Sequence, residues 1–146
     1  MKLFEAILRA YTETNRYLKG REDAARKRKA LWGQRRMYND HAYFVMLFGQ
    51  LESRVNALCR KLIDGKRASG KWKTRRLWDS ADIERMEFMR KVALLCEKGQ
   101  AAYNRVHHYY RNHRCEIAHG GSSAVGAINL PLAAQELRQL SGQLRA

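Results

Sequence analysis

Residues 39–62 read NDHAYFVMLFGQLESRVNALCRKL, and their spacing decides the fold class. Phe44, Leu47, Phe48, Leu51, Val55, Leu58 and Leu62 recur at steps of three and four, the period of one face of an α-helix. Asn39 and Asp40 come just before, with short polar side chains suited to capping the orphan N–H groups of a first turn. The pattern predicts a long core helix that ends near Asp64 and Gly65.

Working outward from it, the segments on both sides are also helical or basic. Leu3, Phe4, Ile7, Leu8, Tyr11 and Leu18 form an amphipathic stripe that Gly20 is expected to end. Arg21 to Arg36 is rich in cations, with Leu31 and Trp32 as almost its whole apolar content, and reads as a solvated helix or arm. DGKRASGKWKTRR, residues 64–76, reads as a glycine-punctuated basic loop. Asp79 or Ser80 then caps a helix with the stripe Ile83, Met86, Met89, Val92, Ala93 and Cys96. A further helix runs from near Gln100 towards His119, and Gly120 to Ser123 supply a flexible turn. Pro131 suits the first turn of a last helix whose inward face is Leu132, Leu137, Leu140 and Leu144. The expected architecture is all-α: an antiparallel four-helix-type bundle over residues 39–146, with a basic N-terminal helical extension over residues 1–38.

Composition narrows the function. The chain has 146 residues, 29 Lys and Arg against 14 Asp and Glu, and a formal charge of +15, with 45% apolar residues to fill a core. A single proline and ten scattered glycines exclude collagen-like and repeat designs. The longest apolar run, Ala42 to Phe48, falls far short of the roughly 20 residues that cross a bilayer. No secretory signal is evident, and three widely spaced cysteines suit a reducing compartment, so a cytoplasmic protein is expected. Two clusters interleave cations with aromatics, Arg21 to Arg36 with Trp32 and Lys66 to Arg76 with Trp72. That pattern points to a nucleic acid, with Arg28, Arg35, Arg36, Lys71, Lys73, Arg75 and Arg76 as phosphate contacts. A basic helix lying on an anionic membrane is the competing reading.

The chemistry concentrates in HHYYRNHRCEIAHGG, residues 107–121, which holds four of the five histidines. On a straight helix at about 100° per residue, His108, Asn112, Cys115 and His119 share a sector of roughly 60°, opposite Val106, Tyr110 and Ile117. The same arithmetic places Arg114 about 140° from His119 and Arg111 about 80° from it. Convergence of Arg114 and His119 then needs a break in the helix, a wrapping side chain, or two copies meeting face to face across a symmetry axis.

Arg114-Cys115-Glu116-Ile117-Ala118-His119 resembles the R-x4-6-H motif of the HEPN superfamily, all-helical domains that include many metal-independent ribonucleases. AYFVMLFGQLESRVNAL, residues 42–58, is similar to a core helix of its bacterial branches, with Glu52 inside the apolar stripe. The likeness covers roughly residues 39–144. Cys115 departs from the Asn, Asp or His usual after the arginine, and Asn112 is the nearest stand-in on that face. The resemblance implies an endoribonuclease acting on RNA as a homodimer, as a toxin or defence effector, with a protein antitoxin as a further partner. It implies His119 and Arg114 as the catalytic pair, with Asn112 and Glu52 beside them and Arg111 as a further contact to the nucleic acid.

The residue types suit that chemistry independently. Metal-free cleavage needs a group to take the 2′-hydroxyl proton, one to protonate the departing 5′-oxygen, and positive charge on the phosphate. Histidine serves the first two and arginine the third. Zinc ligation by Cys115 and His119 lacks a second ligand pair, and a Cys115 nucleophile lacks an evident oxyanion hole. No Gly-rich phosphate loop is present, so no nucleotide cofactor is expected.

Overall fold

The structure is a computed structural model that describes residues 1 and 3–146, and the side chains among them save those of residues 122 and 123. It is all-α, with no strand among the described residues. Helix α1 spans Phe4–Ala24 and α2 Lys29–Arg67; α3 is Trp72–Asp79, α4 Phe88–Leu95 and α5 Ala101–Tyr109. A π-helical turn, Tyr110–Cys115, joins α5 to the short α6, Glu116–Ala118, and α7 (Ser122–Val125) and α8 (Leu130–Gln143) follow.

The 39 residues of α2 form the axis, about 58 Å long at 1.5 Å per residue. Phe44, Leu47, Phe48, Leu51 and Val55 are fully buried and Leu58 is nearly so, as their period requires, while Leu62 is half-buried. α1, α3, α4 and α8 pack against this helix. Asn39 and Asp40 do not cap it. The helix already starts after Arg28, and these two polar residues lie in its interior.

That continuity also removes the expected boundary between residues 38 and 39. Phe4, Ile7 and Tyr11 of α1 join the same core as Leu47 and Leu51, so the N-terminal segment is part of the packed body rather than an extension to it. Gly20 does not stop α1, which runs four residues further and doubles back against α2. Gly33 permits the approach: a Cβ there would lie 3.3 Å from Glu22 Oε1, the carboxylate that pairs with Arg36.

Three other expectations are corrected. The basic loop folds in part as α3, which buries nothing and so leaves no apolar period to read. Ile83 and Met86 precede α4 instead of belonging to it, half-buried in an irregular approach. In α8 the inward residues are Leu130, Ala133, Ala134, Leu137 and Leu140, with Leu144 just beyond, while Leu132 is 50% exposed. Pro131 sits in the first turn as expected, and Asn129 caps it by accepting from the Leu132 N–H.

Candidate functional site

The segment bearing the histidines is not a straight helix. At Tyr110 the winding widens to the π form, in which N–H groups reach five residues back, and α-helical winding resumes at Glu116. This breaks the expected polar stripe. Asn112 still pairs with its neighbour one turn back, Nδ2 to His108 Nδ1 at 3.0 Å, but Cys115 rotates to the half-buried side. There it meets Tyr110, which was expected on the opposite face. Burial first, and then the Cys115 thiol in side-chain contact, hold the Tyr110 phenol above its ordinary value, with Arg114 and Glu52 also near it.

Arg114 points inward to α2. Its Nε donates to Glu52 Oε1 at 3.0 Å, with both side chains a quarter to a third exposed. Arginine carries five N–H donors, and among the described residues only Nε is engaged, so the Nη groups remain available. Leu51 and Val55 flank Glu52 in the core, which fixes where the carboxylate emerges.

His119 is the last residue before the chain leaves the helix, and its position follows from the two glycines. Gly120 takes the left-handed conformation at φ +83°, Gly120 N–H donates to Ile117 O at 3.2 Å, and Gly121 N–H donates to Glu116 O at 2.7 Å. This double closure is a Schellman ending, and it leaves the His119 side chain exposed, with no hydrogen bond among the described residues. No hydrogen bond joins His119 to Arg114. Within one chain Arg114 belongs to the π turn and His119 follows α6, five residues further on.

Two other histidines are drawn inward, His41 fully and His113 in part. His41 is 2% exposed and donates from Nε2 to Gly126 O at 2.6 Å. His113 packs among Phe44, Tyr109 and His108, with ring centroids 5.2–5.5 Å away. Burial, and then the charges of His108 and His41, depress its imidazole below the ordinary value. The Nδ1 atoms of both rings, Asn39 Nδ2 and Asp40 Oδ1 are buried without a partner among the described residues. Helical periodicity alone assigns these positions to a cap or a stripe.

The basic residues divide by what holds them. Arg36 is engaged within the chain, by Glu22 at 2.5 Å and Asn15 at 3.2 Å. Arg67 likewise donates to the carbonyls of Trp78, Asp79 and Ala81 and ties α3 to the end of α2. Arg28, Arg35, Lys71, Lys73, Arg75 and Arg76 are exposed, Arg35 over the Trp32 ring and Arg76 over Trp72, each at 4.5 Å. Arg111 is exposed, 3.9 Å from Glu87.

No family model matches the chain, and neither a curated protein nor a solved structure matches it. No helix among the described residues is long and apolar enough to cross a membrane.

Proposed function

We propose that the chain is an endoribonuclease of the HEPN type, acting as a homodimer, with Arg114 and His119 as its catalytic residues. The observation that carries the reading is Arg114 held by Glu52 at 3.0 Å while His119 stands exposed at the adjoining helix end. The ion pair orients the guanidinium and leaves its Nη edge for a phosphate. His119 of one copy takes the proton from the ribose 2′-hydroxyl, and the 2′-oxygen attacks phosphorus. His119 of the second copy donates a proton to the departing 5′-oxygen. Arg114 offsets the charge on the crowded phosphate. The products are a 2′,3′-cyclic phosphate and a 5′-hydroxyl. Glu52 is a positioning residue in this scheme. An enzyme of this kind serves as a toxin or defence effector, and a protein antitoxin is its natural partner.

A second reading is a non-catalytic module that binds nucleic acid or protein. What favours it is that Asn112 is held by His108 and Cys115 is in contact with Tyr110, so neither stands free to assist His119. Incubation of the purified protein with total RNA in excess chelator, beside an identically prepared His119→Ala variant, separates the two. Cleavage by the unaltered chain alone, leaving cyclic phosphate ends, supports the enzyme. Equal cleavage by both preparations, or none, removes the catalytic reading and leaves the binding module.

A further inference from the structure

We infer that the tip of the α1–α2 hairpin is a second phosphate-binding site, built to hold the backbone of a single-stranded nucleic acid away from Arg114 and His119. The site stands on its own geometry; only the choice of RNA over DNA as its natural ligand rests on the ribonuclease reading.

The tip carries far more positive charge than its fold uses. Residues 19–36 hold eight Lys and Arg against Glu22 and Asp23, and Glu22 is neutralised by Arg36. Among the described residues no carboxylate lies within ion-pair distance of Arg21, Arg26, Lys27, Arg28, Lys29 or Arg35. None of these side chains is buried, so their mutual repulsion opposes the compact tip without a compensating contact in the core. A polyanion removes that repulsion.

The cations are also arranged. Arg21 from α1 and Arg35 from α2 both lie over the ring of Trp32, at 5.0 and 4.5 Å. A place over an indole restrains a guanidinium, and neither group makes a hydrogen bond among the described residues, so their N–H donors are available to an oxyanion. Between the two helices they line a cleft of about 300 Å³, completed by Arg26, Lys27, Arg28 and Leu31. That volume takes a phosphodiester and its neighbours along one strand. A membrane surface fits less well. The guanidiniums cover Trp32, and Leu31, 41% exposed, is the large apolar side chain left to enter a bilayer.

Trp32 and Glu52 are separated along α2 by about 30 Å, which a stacked strand covers in about nine nucleotides. A single phosphate therefore cannot serve both places, and the tip acts on longer chains only.

The test measures binding of the full chain to a single-stranded oligodeoxynucleotide of about 20 residues, longer than that span and unable to be cut for want of a 2′-hydroxyl. Arg21→Gln with Arg35→Gln is expected to lose about tenfold in affinity near 0.1 M salt and to flatten the log–log salt slope by about 1.4, two contacts at about 0.7 each. Arg21→Lys with Arg35→Lys restores the slope but only part of the affinity, because lysine lacks the stacked planar fork. Affinity and slope in the Gln variant equal to those of the unaltered chain would overturn the proposal. So would binding to phosphatidylserine vesicles without binding to the oligonucleotide. If the Gln variant fails to fold by circular dichroism, a chain with Trp72→Phe and Trp78→Phe leaves Trp32 as the sole indole; its emission must change on adding the oligonucleotide, and constancy sinks the idea. Tip-dependent binding by a protein that cuts no RNA leaves this site standing and removes the ribonuclease reading. RNA cleavage with tip-independent binding does the reverse.

Discussion

Arg114 Nε and Glu52 Oε1 meet at 3.0 Å across 62 residues of sequence, and this contact ties the π-helical turn to the central helix. It immobilises one edge of the guanidinium and leaves the other free, which is the condition a phosphate clamp requires. Replacing Glu52 by Gln should therefore lower cleavage by loosening Arg114, and should reduce stability by about 1 kcal/mol, as for a partly exposed ion pair. Arg114→Lys should not restore activity, since it lacks the planar fork. Urea denaturation beside cleavage rates checks both; a faster Glu52→Gln enzyme would show that the carboxylate restrains the site instead of arranging it.

The glycine pair after His119 gives a second expectation. Gly121→Ala places a Cβ 2.7 Å from Glu116 Oε2 and 3.0 Å from its carbonyl oxygen, so the helix ending must shift. Gly120→Ala forces a side chain to φ +83°, at a cost of about 1 kcal/mol. Both variants should melt earlier, and Gly121→Ala should lose more cleavage than stability because His119 is re-aimed. Unchanged activity in Gly121→Ala would separate the ending from the catalysis.

Phe48 is fully buried and touches Phe88 at the start of α4 and Tyr110 in the π turn, with ring centroids at 5.6 and 6.2 Å. Phe48→Ala should destabilise by about 3–5 kcal/mol, measured by denaturant unfolding. A loss under 1 kcal/mol would contradict the packing.

Acid should weaken the fold through His113. Its imidazole is depressed below the ordinary 6.5, so the unfolded chain binds the proton more readily. Stability from this residue is complete above that value and falls as pH drops through it towards the folded value. His108 and His41 are the neighbouring groups that reinforce the effect. Stability measured from pH 7 down to about 5 should decline less in His113→Leu than in the unaltered chain, and parallel curves would exclude the residue as the cause.

The exposed face of α3 offers a further check. Reversing the charges of Lys71, Lys73, Arg75 and Arg76 should weaken nucleic-acid binding across all sequences and flatten its salt dependence, with little change in melting temperature. Those four residues bury nothing, so a folding defect would be unexpected.

How far the sequence could be read follows from where burial imposes a period. Phe44 to Leu58 declared the core helix because one face of it lies at 8% exposure or less. The same logic failed at both ends of α2, where the turns before His41 and the whole of α3 bury nothing and carry no period. Asn39 and Asp40 resemble caps because short polar residues serve equally inside a helix that is covered by a neighbour. Of the candidate site, the sequence offered Glu52 as a partner that could orient Arg114, and the two do meet at 3.0 Å. Tyr110 beside Cys115 was not legible, because a π turn alters the angle per residue and a fixed 100° step cannot anticipate it. The Arg21–Trp32–Arg35 stack was hidden for another reason, since it depends on the antiparallel meeting of two helices.

From Lys29 to Asp40 no residue of α2 is buried, and the contacts holding these three turns come from α1. Opening them exposes less apolar surface than opening the turns around Phe48, where Phe44, Leu47 and Leu51 are fully buried. A single unbroken helix thus carries a gradient of amide protection, from an end that exchanges with solvent by local fraying to a centre whose opening costs more. The adaptable end is the one that bears the cationic cleft, and it can remodel around a bound strand while the register of Glu52 stays fixed.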